Sequence, residues 1–213
     1  MIGCMSLDAA RTAVLALHWQ VNVIAPEGFF GPMLAEPVAR SGVVERATAF
    51  HTAARQAGIP VVFGRFTIPV GEGDLVRNTG FMRAAAEAQT EFRPESAGAQ
   101  IIPEMAEQAE AGVVFDTQKL SCLAGNTLPQ WLAARNLNTV LITGVATNLV
   151  VEQTARHGTD LGLFVHPIVD CAAAATTQAH ESALADLELT TAGCLSVEQA
   201  LAHLRTRTRR PGR

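Results

Sequence analysis

Three short runs of this chain carry reactive or polar groups: His18-Trp19-Gln20, Asp116-Thr117-Gln118-Lys119, and GVATN at 144–148. The His18 imidazole accepts or donates a proton near neutral pH. Lys119, the only lysine in the sequence, offers a cation to balance developing negative charge. The run at 144–148 reads as a strand-to-helix turn with the helix opening near Thr147. The first backbone amides of a helix favour an anion or an oxyanion. A cysteine one turn into that helix would have its pKa lowered by the same field and become a nucleophile. Val150 stands there instead, and valine only packs.

Each run follows an apolar stretch, and these stretches set the fold. Strands are predicted at 12–17, 60–65, 112–115, 139–143 and 163–166, with a weaker one at 190–195. Helical patterns fall at 37–57, 128–135, 148–158, 178–187 and 197–205. Continuous apolar strands, not alternating ones, indicate a parallel sheet covered on both faces. The expectation is an α/β, doubly wound, Rossmann-like fold: a mostly parallel sheet of about six strands with helices on both faces. Ligands of such sheets bind beyond the carboxyl ends of the strands, where the strand order reverses. Residues 67–105, rich in Gly, Pro and charge, read as an insertion forming a lid or a subunit contact.

At 213 residues, 48% hydrophobic and 17% charged, the chain is expected to form one domain over 1–205 with a substantial core. A basic, disordered tail is expected at 206–213, since five arginines crowd the last nine residues. The four cysteines lack CxxC or Cys/His spacing and read as buried thiols of a reducing compartment. The apolar run at 12–17 is too short for a signal peptide or a membrane span, so a soluble cytoplasmic protein is expected, without membrane or nucleic-acid partners. No GxGxxG follows the first strand and no GxxxxGK[ST] occurs, so nucleotide binding has no support. His51, His157, His166 and His180 show no metal-ligand pairing, so neither metal nor cofactor is expected.

Four stretches carry a family resemblance: TAVLALHWQVN at 12–22, SCLAGNTL at 121–128, GVATNLVVEQTAR at 144–156 and VDCAA at 169–173. In this order they resemble the isochorismatase-like cysteine hydrolases, over nearly the whole chain. Members place an Asp after the first strand and a Gln two residues later. Their other patterns read S-A-F-x-G-T-x-L, G-V-A-T-N-x-C-V-E and V-x-D-A-C. The resemblance implies hydrolysis of amides, ureides or nicotinamide-like compounds by an Asp base, a Lys partner and a Cys nucleophile. Those three positions fall on His18, Thr117 and Val150, with Lys119 two residues beyond the Lys position. Relatives of the isochorismate type cleave vinyl ethers without the cysteine but keep the Asp. The metal-binding D-x-H of the nicotinamidase branch falls on Arg65-Phe66-Thr67. The resemblance further implies a cis peptide between Val145 and Ala146, and a homo-oligomer, dimer or tetramer.

Each candidate has a plainer alternative. His18 acts on protons, or merely hydrogen-bonds within a degenerate pocket. Lys119 returns to the pocket if the chain stays extended for two residues, or occupies a structural position paired with an acid. Thr117 is a catalytic candidate by position, although a hydroxyl without a base is no nucleophile. Cys122 is a relocated nucleophile or a packed thiol. Trp19, Gln20, Phe29, Phe30 and Arg65 are candidate ligand contacts, as are Val145, Ala146, Thr147, Asn148 and Val150. Thr147 and Asn148 alternatively cap and turn the helix. Two functions follow. The first is a small-molecule hydrolase without a cysteine nucleophile, acting on an amide, a ureide or an enol ether. The second is a catalytically inactive ligand-binding or partner protein on the same fold.

Overall fold

Five apolar runs become strands because their side chains fill helix-covered layers on both sides of one sheet. The computed structural model describes residues 7–205, so the tail expected at 206–213 lies outside the described residues, as does Cys4. In chain order the elements are β1 (Thr12–Leu17), α1 (Val21–Ile24), α2 (Gly31–Ser41), α3 (Val43–Gln56), β2 (Val61–Phe66), α4 (Gly80–Glu87), α5 (Pro103–Glu110) and β3 (Val113–Thr117). There follow α6 (Leu128–Ala134), β4 (Thr139–Val145), a π-helical turn Thr147–Val151, α7 (Glu152–Asp160), β5 (Phe164–Ala173), α8 (Thr177–Thr190) and α9 (Val197–Arg205). The strands pair in parallel in the order β3-β2-β1-β4-β5. The strand order therefore reverses between β1 and β4, and a crevice opens at their carboxyl ends.

Among the described residues the sheet has five strands, where about six were expected. Thr190 closes α8, Gly193 takes φ +99°, and only Leu195 reaches the sheet, through a single parallel bridge to Ile168. The helix expected over 37–57 is two helices, because Gly42 adopts φ 64° and ends α2.

Side chains alternate along the strands, as a two-residue period requires. Val14 and Ala16 of β1 pack with Leu34, Phe50, Met105 and Leu204 of α2, α3, α5 and α9. Ala13, Leu15 and Leu17 pack with Leu128, Ala155 and Leu187 of α6, α7 and α8. A third, smaller cluster lies under the insertion and joins Phe66, Ile68, Met82 and Phe92. Each large side chain buried this way contributes about 1.5–3 kcal/mol. Close approach of β1 and β4 requires Gly144: a Cβ there would stand 2.4 Å from the Leu17 carbonyl oxygen. That approach brings His18 alongside the turn that follows β4.

Candidate functional site

His18 is the first residue past β1, and its backbone leaves the strand in the left-handed region, at φ 54°. Histidine is among the few non-glycine residues enriched there. The turn interrupts the alternation, so Trp19 joins the same core layer as Val14 and Ala16. The His18 N–H donates to the Gly64 carbonyl at 2.9 Å, which fixes the residue between β1 and β2. The residue is only 7% exposed, and no hydrogen-bond partner among the described residues reaches Nε2. Burial pushes the imidazole pKa down from 6.5 to about 4. At neutral pH the ring is uncharged.

His18 lines a cavity of about 30 Å³ together with Val145, Ala146, Leu149 and Val150 from the β4 turn. Phe30 and Phe81, stacked at 5.1 Å between ring centroids, form part of its wall, as do Phe66 and Phe92, which meet edge to face at 5.4 Å, and the exposed Met33. The volume holds about one water and is far below the roughly 300–1,000 Å³ of a typical ligand pocket. Among the described residues His18 is the only polar side chain in its lining. Val150, 1% exposed, packs into both the cavity wall and the α7 layer. The peptide between Val145 and Ala146 is cis, as the resemblance implies.

The remaining candidates are mostly occupied elsewhere. Thr117 Oγ donates to the Ala124 carbonyl and accepts from the Lys119 N–H, which makes it a turn-former. Lys119 donates its ammonium to the Asp74 carbonyl and lines a separate cleft; the chain bends after Thr117, so the structure does not bring Lys119 to His18. Gln20 is fully buried and clamps three backbone groups: its amide donates to the carbonyls of Phe66 and Ala99 and accepts from the Phe66 N–H. Arg65 forms a two-pronged ion pair with Asp116, at 2.8 and 2.9 Å. Trp19 Nε1 donates to Thr143 Oγ at 3.4 Å, on the α3 side of the sheet. Phe29 packs edge-on against Phe30 and Phe92 behind the cavity wall. Cys122 Sγ is buried against Gly64, and its pKa is pushed up to about 12 by burial. Thr147 Oγ shares a 2.8 Å hydrogen bond with His180 Nδ1, and Asn148 faces solvent. Of the sequence candidates, His18, Phe30, Val145, Ala146 and Val150 thus meet around one cavity.

Phe66, Phe81, Phe92, Leu120 and Leu149 line the same cavity and were not singled out by sequence reading. The available signal was aromatic: Phe81 and Phe92 are the aromatic residues within 67–105, a stretch otherwise polar and irregular. Among the described residues no three His, Cys, Asp or Glu side chains gather as metal ligands, and no helix is long and apolar enough to cross a membrane.

Comparison with known proteins places these features in context. The isochorismatase domain model matches residues 12–199. Ureidoacrylate amidohydrolase RutB of Methylobacterium radiotolerans is 26% identical over 195 residues, 86% of this chain and 76% of that protein. The isochorismatase family protein YecD of Escherichia coli O157:H7 is 26% identical over 204 residues, 92% of this chain and 98% of that one. A cysteine hydrolase from Pseudomonas syringae pv. phaseolicola superposes with a TM-score of 0.82 at 20% identity, covering 95% of this chain and 96% of its own.

Proposed function

Since this chain belongs to the isochorismatase domain family, we propose that it is a small-molecule hydrolase that works with water in place of a thiol nucleophile. One observation carries the reading: the partnerless Nε2 of His18 beside a cavity with room for about one water. A buried polar atom left unbonded costs about 1–3 kcal/mol, a cost that a bound water or substrate would remove. In the proposed step His18 accepts a proton from that water as its oxygen attacks the substrate carbonyl carbon. The proton then passes from His18 to the leaving nitrogen as the C–N bond breaks. In this reading the first amides of the turn Thr147–Val151, which follows the cavity-lining Val145 and Ala146, stabilise the developing oxyanion. Lys119, turned to its own cleft, takes no part.

The name of the ureidoacrylate amidohydrolase relative supports an amide or ureide as the bond cleaved. An enol ether is less favoured, because its cleavage calls for an acid, and an imidazole with a pKa of about 4 is unprotonated at neutral pH. The same value makes His18 a weak base, so turnover is expected to be slow.

A second reading, ligand binding without turnover, is favoured by the cavity wall itself, which among the described residues offers no charged and no second polar side chain. A panel of small amides and ureides assayed with wild type and His18→Ala separates the two. Hydrolysis that drops at least a hundredfold in the variant supports the water mechanism. Equal rates in both remove His18 from it. Absence of turnover by a folded protein that still binds panel members establishes the second reading.

A further inference from the structure

Apart from His18, every side chain that lines the cavity among the described residues is a hydrocarbon or a thioether; no Asp, Glu, Lys or Arg lines it. The imidazole itself is uncharged at neutral pH. A ligand carboxylate entering this space would lose its hydration and meet no opposite charge, which is costly. An uncharged ligand loses far less. A single O–H or N–H on it would also satisfy Nε2 of His18, which is buried and without a partner among the described residues. The wall therefore discriminates by charge as well as by shape.

The space is small, about 30 Å³, whereas cavities that bind benzene measure about 150 Å³. A ligand larger than water must displace part of the wall. Met33 is the lining residue most open to solvent, at 42% exposed; Phe30, Phe81, Leu120 and Leu149 are half-buried and the others buried. Its backbone is held in the first turn of α2, where the Met33 N–H donates to the Phe30 carbonyl at 3.0 Å. Its side chain is unbranched, with three rotatable bonds. Of the wall's side chains it is the one that can turn into solvent with least loss of packing.

We propose that the His18 site takes small ligands that are uncharged and largely apolar, admits them past Met33, and excludes carboxylates. The inference rests on the His18-centred reading of the site and names its substrate class: amides or ureides whose acyl group carries no charge. Hydrolysis of such an amide adds water across the C–N bond and yields a carboxylate and an amine. No cation in the lining holds that carboxylate, so cleavage converts the bound molecule into one that the site rejects.

Isobutyl alcohol and isobutyrate are the probes, since they share one branched carbon skeleton, differ in charge and cannot be hydrolysed. Calorimetry at neutral pH gives their affinities, and the ring resonances of His18 in the full-length protein report where they bind. The alcohol is expected to bind wild type at millimolar concentration and to shift the His18 resonances, with isobutyrate weaker by about tenfold or more. Met33→Arg places a cation at the mouth; it should tighten isobutyrate about tenfold and change the alcohol little. Alcohol binding that persists in this variant shows that it is folded. Three results each overturn the proposal: isobutyrate that binds wild type as tightly as the alcohol, an alcohol that does not bind or leaves His18 unmoved, or isobutyrate affinity that Met33→Arg leaves unchanged while the alcohol still binds. A hydrolysis assay that fails leaves these measurements intact, and a failure of charge selectivity leaves the comparison of wild type with His18→Ala to decide the reaction by itself.

Discussion

At His18 the backbone and the imidazole both occupy costly states. The left-handed conformation at φ 54° costs about 1–2 kcal/mol for a residue with a Cβ, and the neutral ring is largely withdrawn from bulk solvent. His51, buried against Trp19 and Phe63, is likewise depressed to about 4 by burial. Unfolding returns both rings to an ordinary value of 6.5, so between pH 6.5 and 4 the unfolded chain binds more protons than the folded one. Stability should therefore fall as the pH drops through this window, by roughly 1.4 kcal/mol per pH unit for each ring. Urea titrations across the window check this, and the slope should flatten in the His18→Asn, His51→Leu double variant. An unchanged slope would assign the effect to other groups. Asn suits position 18 because it tolerates the left-handed region. The position of His18 was legible in the sequence, since it follows an apolar strand. The direction of Lys119 was not: two residues return a side chain to the same face only in extended chain, and Thr117 bends it by accepting the Lys119 N–H.

Among the elements, the strands were the most legible, because apolar runs covered on both faces leave little ambiguity. Helix boundaries were less so; Gly42 divides one predicted helix into two. Partners distant in sequence were invisible, and Arg65 is engaged by Asp116, 51 residues away. The contact between β2 and the segment after β3 is another such pairing: a Cβ at Gly64 would stand 2.3 Å from Cys122 Sγ. Gly64→Ala should destabilise by about 1–3 kcal/mol through overpacking. Combining it with Cys122→Ala should recover part of that loss, giving a favourable coupling energy of order 1 kcal/mol in a double-mutant cycle. Strict additivity would mean that the sulfur is not what the new methyl meets.

For the molecule as a whole, the question is how the insertion is joined to the sheet. Gln20 ties the end of β1 to Phe66 of β2 and to Ala99 at the far end of the insertion. Gln20→Ala leaves three buried backbone groups without their partner, a cost of several kcal/mol. Amide exchange should then accelerate across 67–102 while β1 and β4 keep their protection; uniform acceleration would mean that the insertion and sheet open as one unit. Inside this stretch Arg93 donates to the Ile68 carbonyl at 2.9 Å, and Asn22 holds the Glu91 carbonyl. The two ends of the insertion are therefore tied to each other and, through Gln20 and Asn22, to the segment that follows β1. The span that contains α4 and Phe81 is fastened between those ends as well, at Asp74, whose N–H donates to Gln118 Oε1 and whose carbonyl accepts from Lys119. The insertion is therefore a strap pinned at several points, and it keeps Phe81 stacked on Phe30 over the His18 cavity.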